Sequence, residues 1–101
     1  MIHAKKVLPD YFDALCDGRK RFELRREDPQ EPSFAAGDYI ALNEYDAEDE
    51  AYTGRCLLFK IVYVLRDFPG LTEGYAALGL ELSPLAISDL PELRRPQLRP
   101  V

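Results

Sequence analysis

Up to residue 82 the chain alternates short apolar runs with clusters of turn residues, a rhythm that predicts several brief elements. The first run, residues 2–8, reads as a strand that ends at Pro9. Asp10 is then placed to cap a short helix, with Asp13 also favourable in its first turn. Tyr11, Phe12, Leu15 and Cys16 recur at helical spacing and predict its buried stripe, and Gly18 supplies the stop. Residues 21–26 read as the next strand, with Phe22 and Leu24 on one face and Glu23 and Arg25 on the other. An exposed connection, DPQEPSFAAGD, closes on Gly37-Asp38. Two strands follow, residues 39–45 and 55–66, joined by the polar hairpin connection DAEDEAYTG. The second is apolar on both faces and is therefore expected in the middle of a sheet or barrel wall. After the loop RDFPGLTE, a last strand runs over residues 74–82. One short helix with about five to six strands predicts an α+β fold, a small sheet curled into a barrel whose one end the helix caps.

The pattern changes after Leu82. Residues 83–101, SPLAISDLPELRRPQLRPV, carry four of the eight prolines, a density that interrupts helix and sheet alike and predicts an extended or partly disordered tail. Leu85, Ile87, Leu90 and Leu93 leave a second reading open, in which the tail is an arm that docks on an apolar groove or a protein partner. The expected organisation is one domain over residues 1–82 and a tail over 83–101, since 101 residues cannot supply two independent cores. Cys16 and Cys56 stand 40 positions apart and form neither a metal-ligand cluster nor a disulfide framework. No apolar stretch is long enough to span a membrane, and a start containing His3, Lys5 and Lys6 does not resemble a secretion signal. These features predict a soluble, cytoplasmic protein with no metal or cofactor.

Charge changes the picture more than composition does. The net charge of −5 argues against a general nucleic-acid binder, but it conceals two opposed clusters. Residues 19–26 hold five cations and one anion, a local charge of +4. Glu23 and Arg25 share a strand face there, and Lys20 sits in the turn before it. A lysine, a carboxylate and an arginine near a helix end can bind a phosphate or a polarised carbonyl, or move a proton if burial tunes the lysine. Spacing alone favours a plainer reading, a solvated strand edge whose charges pair among themselves. Residues 43–50 hold Glu44, Asp46, Glu48, Asp49 and Glu50, a local charge of −5 without calcium-loop spacing, and read as a solvated hairpin tip. His3 is the single histidine and more often a structural hydrogen-bonding group than a catalyst. Most of the six tyrosines belong in the core or at a barrel rim, and those beside the basic strand could instead stack on nucleobases. Neither a glycine-rich phosphate loop nor a serine-histidine-aspartate arrangement is present.

The segment Gly18-x-Lys20-x-x-Glu23-x-Arg25 resembles the signature of ASCH domains, members of the PUA-like barrels. The similarity sharpens for a small bacterial and phage group catalogued as domain of unknown function 3850. Its pattern corresponds here to His3-x-x-Lys6-x-x-Pro9-x-Tyr11-Phe12, the Gly18–Arg25 signature, Gly37-Asp38, Glu44-Tyr45-Asp46, Tyr52-Thr53-Gly54-Arg55 and Gly74-Tyr75. The resemblance implies a PUA-like barrel with a cleft lined by the signature residues, and RNA or nucleoside recognition. Some ASCH relatives are amidohydrolases of acetylated cytidine, and others are described as ribonucleases or RNA binders. Lys20 matches the amidohydrolase lysine, whereas Glu23 stands where that type carries a threonine.

The leading expectation is a module that binds RNA or a modified nucleotide through a basic cleft at Lys20–Arg25. Lys20 and Arg25 would take phosphate or carbonyl oxygens, Glu23 would orient them, and Tyr45, Tyr75 or His3 would stack. The alternative is a small hydrolase of a modified nucleoside or of RNA, with Lys20 and Glu23 as its catalytic pair.

Overall fold

The computed structural model describes residues 1–83; the expected tail falls almost wholly outside them. The elements run β1 (Ile2–Val7), α1 (Pro9–Cys16), β2 (Phe22–Arg26), β3 (Tyr39–Asp46), β4 (Ala51–Leu65) and β5 (Tyr75–Leu82). The five strands form one sheet in the order β1-β3-β4-β5-β2, with β1 parallel to β3 and every other pair antiparallel. β4 is the central strand, as its two apolar faces require.

The sheet is strongly curled. β1 and β2 are its opposite edges, and four strand spacings in a flat sheet would hold them about 19 Å apart. Instead Arg25 of β2 reaches across and donates from Nη2 to the Lys6 carbonyl of β1 at 2.8 Å. The concave side is filled by Ile40, Phe59, Ile61 and Leu78, none measurably exposed, and by Phe12 and Leu15 from α1. What remains open is a seam between the edges of β1 and β2, with α1 beside it.

Several boundaries differ from the sequence reading, each for a local reason. Asp10 is not the helix cap. Pro9 disfavours helical geometry at the residue before it, so Leu8 is the extended N-cap (φ −71°, ψ 154°) and Pro9 opens the helix. Within α1 only Phe12 and Leu15 are buried; Tyr11 and Cys16 are exposed, because the sheet covers a narrower face than the apolar spacing offered. The hairpin connection is shorter than DAEDEAYTG, since Tyr45 pairs with Tyr52 and Asp46 with Ala51, leaving a turn over 47–50. The connection over 28–38 is not wholly exposed either: Phe34 drops into the core.

Candidate functional site

The turn from α1 into β2 sets the site. Gly18 adopts φ +86°, a left-handed conformation that a side chain would strain, and reverses the chain. The Lys20 amide then donates to the Ala14 carbonyl at 3.1 Å, while Arg21 Nη1 donates to Leu15 O at 2.6 Å and Lys20 O at 3.2 Å. These bonds satisfy the helix end and hold Lys20 at the mouth of the seam.

β2 carries its polar face inward. Glu23 lies opposite Leu78 and Arg25 opposite Ala76, on the concave side, while Phe22 and Leu24 face out at 48% and 53% exposure. The expectation of a solvated charged edge is corrected here: Glu23 is 5% exposed. A carboxylate tolerates that position only when paired. Lys20 Nζ stands 3.2 Å from Glu23 Oε2 and donates to the Phe22 carbonyl at 2.8 Å. Arg25 Nε lies 3.6 Å from the same Oε2, an ion pair but too long for a hydrogen bond. The pairing is incomplete, since Glu23 Oε1 and Arg25 Nε are buried without a hydrogen-bond partner.

Two adjoining cavities open on this triad. One, of about 310 Å³, is lined by Tyr11, Lys20, Phe22, Glu23 and Leu24; the other, of about 230 Å³, by Lys6, Val7, Leu8, Tyr11, Glu23, Leu24 and Arg25. The Lys20 ammonium lies 5.0 Å from the Phe22 ring centre and 5.7 Å from that of Tyr11. The cleft thus combines two aromatic walls, three cations and one under-bonded carboxylate. A larger hollow of about 500 Å³ lies between the start of α1 and the β3–β4 turn, with Asp10, Asp46 and Glu48 on its walls and no cation.

Lys20, Glu23 and Arg25 converge, but the other predicted site residues do not join them. His3 is 7% exposed, its Nε2 is 2.9 Å from Asp38 Oδ2, and its ring packs on Phe34 at 4.6 Å. It anchors the start of β1 and lines neither cleft cavity. Tyr75 pairs with Arg26 at the far end of β2 and is likewise outside the cleft. Tyr45 is a neighbour at one remove, packed edge-on against Tyr52 at 5.1 Å with Lys6 Nζ 4.4 Å above its ring. Sequence reasoning missed Tyr11, Phe22 and Leu24 as cleft residues because it assigned Tyr11 to the core and followed charge along β2. The proximity of Pro9-x-Tyr11 to the signature was the available signal.

Glu44 is a second correction. It does not belong to the solvated tip: at 5% exposure it accepts from Arg55 Nε and Nη2, both at 2.9 Å, and from Thr53 Oγ1 at 2.6 Å. The Arg55 guanidinium, followed by the Thr53 hydroxyl, holds the Glu44 carboxyl down at about 2. Arg55 also binds Asp13 at 2.9 Å and covers the Phe12 ring at 4.6 Å, tying α1 to β3 and β4.

A curled five-stranded sheet with one helix, and a lysine-glutamate-arginine cleft in its open seam, defines a class of small β-rich proteins whose site is built from side chains. Residues 2–80 match the family described as a domain of unknown function (DUF3850), and the chain belongs to that family. No curated protein matches it. No helix among the described residues is long and apolar enough to cross a membrane.

Proposed function

We propose that the cleft binds a single unstacked base with its phosphate, from RNA or from a modified nucleotide, as the ASCH and PUA-like resemblance implies. The observation that carries this reading is the Glu23 carboxylate, buried between two cations with Oε1 unpaired. A carboxylate so placed accepts from a base amino group, and the adjacent cations take carbonyl or phosphate oxygens. Tyr11 and Phe22 replace Tyr45, Tyr75 and His3 as stacking walls, being exposed rings on the cleft itself. Lys20 donates to the Phe22 carbonyl and pairs with Glu23 Oε2, contacts that suit a residue holding a ligand's oxygens.

The test is binding of a mononucleotide and of short single-stranded RNA at low salt by the native chain, Lys20→Ala and Glu23→Gln. Binding by the native chain, weakened about tenfold or more by each substitution, is the expected result. Undetectable binding at low salt overturns the reading. Turnover of acetylcytidine that depends on Lys20 would instead make the site hydrolytic.

A further inference from the structure

The outward face of the sheet carries a feature that the cleft does not use. Because β2 is inverted, Phe22 and Leu24 point away from the core. In register, Phe22 faces Gly79 and Gly79 faces Tyr63; in the next row Leu24 faces Ala77 and Ala77 faces Leu65. Small residues on β5 are thus flanked on both sides by large ones, Phe22, Leu24 and Tyr63 exposed (Tyr63 at 63%) and Leu65 partly so. A Cβ at Gly79 would stand 3.4 Å from that of Tyr63, so the glycine leaves a shallow trough beside the tyrosine.

Charge frames this trough. Arg26 stands beside Tyr75 at one end and Lys60 at the other, and both are exposed. Neither side chain has an ion pair, hydrogen bond or ring contact among the described residues, whereas Lys5, Arg19, Lys20, Arg25, Arg55 and Arg66 are all paired. Glu81, opposite Lys60, is the carboxylate of the same rows. The trough joins the cleft directly, since Phe22 and Leu24 also line the 310 Å³ cavity.

We propose that this face is a stacking track for single-stranded RNA, continuing outward from the cleft over Phe22 and Tyr63 between the free cations Arg26 and Lys60. The proposal rests on the reading of the cleft as a nucleotide site and extends it from one base to a short strand. Exposed aromatic rings with flanking cations hold successive bases without reading their sequence; Phe22 and Tyr63 lie two strand spacings apart across the sheet, about 10 Å, and the two cations stand at the ends of the face, about 20 Å apart along β5.

The experiment compares a labelled mononucleotide with a single-stranded hexamer on the full chain, by fluorescence anisotropy. The native protein is expected to bind the hexamer at least about tenfold more tightly, and Tyr63→Ser or Arg26→Gln/Lys60→Gln to abolish that advantage while mononucleotide affinity stays unchanged. Tyr63 is exposed, so its substitution leaves the core intact, and a thermal melt checks this. Equal affinity for both ligands, or a Tyr63→Ser protein that keeps the hexamer advantage, overturns the track and leaves the cleft standing. Hexamer binding lost in Tyr63→Ser but unaffected by Lys20→Ala removes the cleft and keeps the track. A change of oligomeric state in Tyr63→Ser with RNA affinity unaltered makes the face a protein interface and overturns the proposal.

Discussion

Glu23 and Glu44 are both glutamates on strands, both about 5% exposed and both ion-paired, Glu23 with Lys20 and Arg25 and Glu44 with Arg55, yet they do different work. Glu44 is saturated: two short bonds from Arg55 and one from Thr53 group on its two oxygens within a structural tie. Glu23 keeps one oxygen unpaired, which is why the cleft and not the tie is the candidate site. The held-down carboxyl of Glu44 has a definite pH consequence. Its folded value of about 2 lies below the ordinary 4.5, so its stabilisation is complete above about pH 4.5 and disappears as the pH falls towards 2. Glu44→Gln is expected to cost about 2 kcal/mol at pH 7 and to flatten the acid limb, measured by urea unfolding at pH 7 and pH 3. Some slope will persist, because Arg66 lowers Glu27, and Asp38 is lowered by His3 and Ala35 against the opposing effect of burial. Cys56 titrates in the opposite sense. Burial pushes its thiol from 9.0 up to about 11, so the stability it contributes is present below pH 9 and lost on rising to 11. Alkylation at pH 8 is expected to label exposed Cys16 at least about tenfold faster than Cys56, as peptide mapping would read.

At the scale of elements, β2 and the turn before it carry most of the candidate site. The alternation of residues 22–26 was legible, but its orientation was not. A strand in the sheet's interior turns its apolar side to the core, whereas β2 is an edge whose concave side opens on the seam. Its charged side therefore faces a cleft, and its apolar side is left to solvent or a ligand. Gly18 makes this geometry possible, with φ +86° and the Arg21 guanidinium 3.5 Å from where a Cβ would stand. Gly18→Ala is expected to cost about 1 kcal/mol in urea unfolding and, by shifting the turn, to weaken mononucleotide binding as well. The central strand was easier to read, because a run apolar on both sides fits only a position with neighbours on each flank. The helix start was misjudged by two residues' chemistry: Asp10 is a good cap by type, but Pro9 claims the first helical position and moves the cap to Leu8.

For the whole molecule, the curl of the sheet decides what the charge pattern means. It brings β1 to β2, so that Lys6 joins Lys20 and Arg25 around one cleft although 14 residues separate Lys6 from Lys20 in sequence. The net charge of −5 thus coexists, among the described residues, with three cations gathered at one cleft. With the cleft cations and Arg26 and Lys60 as the phosphate contacts among the described residues, the slope of log affinity against log salt for a short single strand is expected to be no steeper than about −3.5. A steeper slope in a salt titration would require phosphate contacts beyond these five cations. The sequence by itself determined the number and kind of elements, the central place of β4, the family, and the Lys20–Glu23–Arg25 grouping. Each of these depends on local periodicity, turn chemistry or near neighbours in the chain. Only the tertiary structure decided that Glu23 is buried and under-bonded, that Glu44 is a tie to Arg55, that His3 and Tyr75 stand apart, and that Tyr11 and Phe22 form the walls. Those outcomes depend on which edges the curled sheet brings together, and contacts between strands distant in sequence leave no periodic trace along the chain.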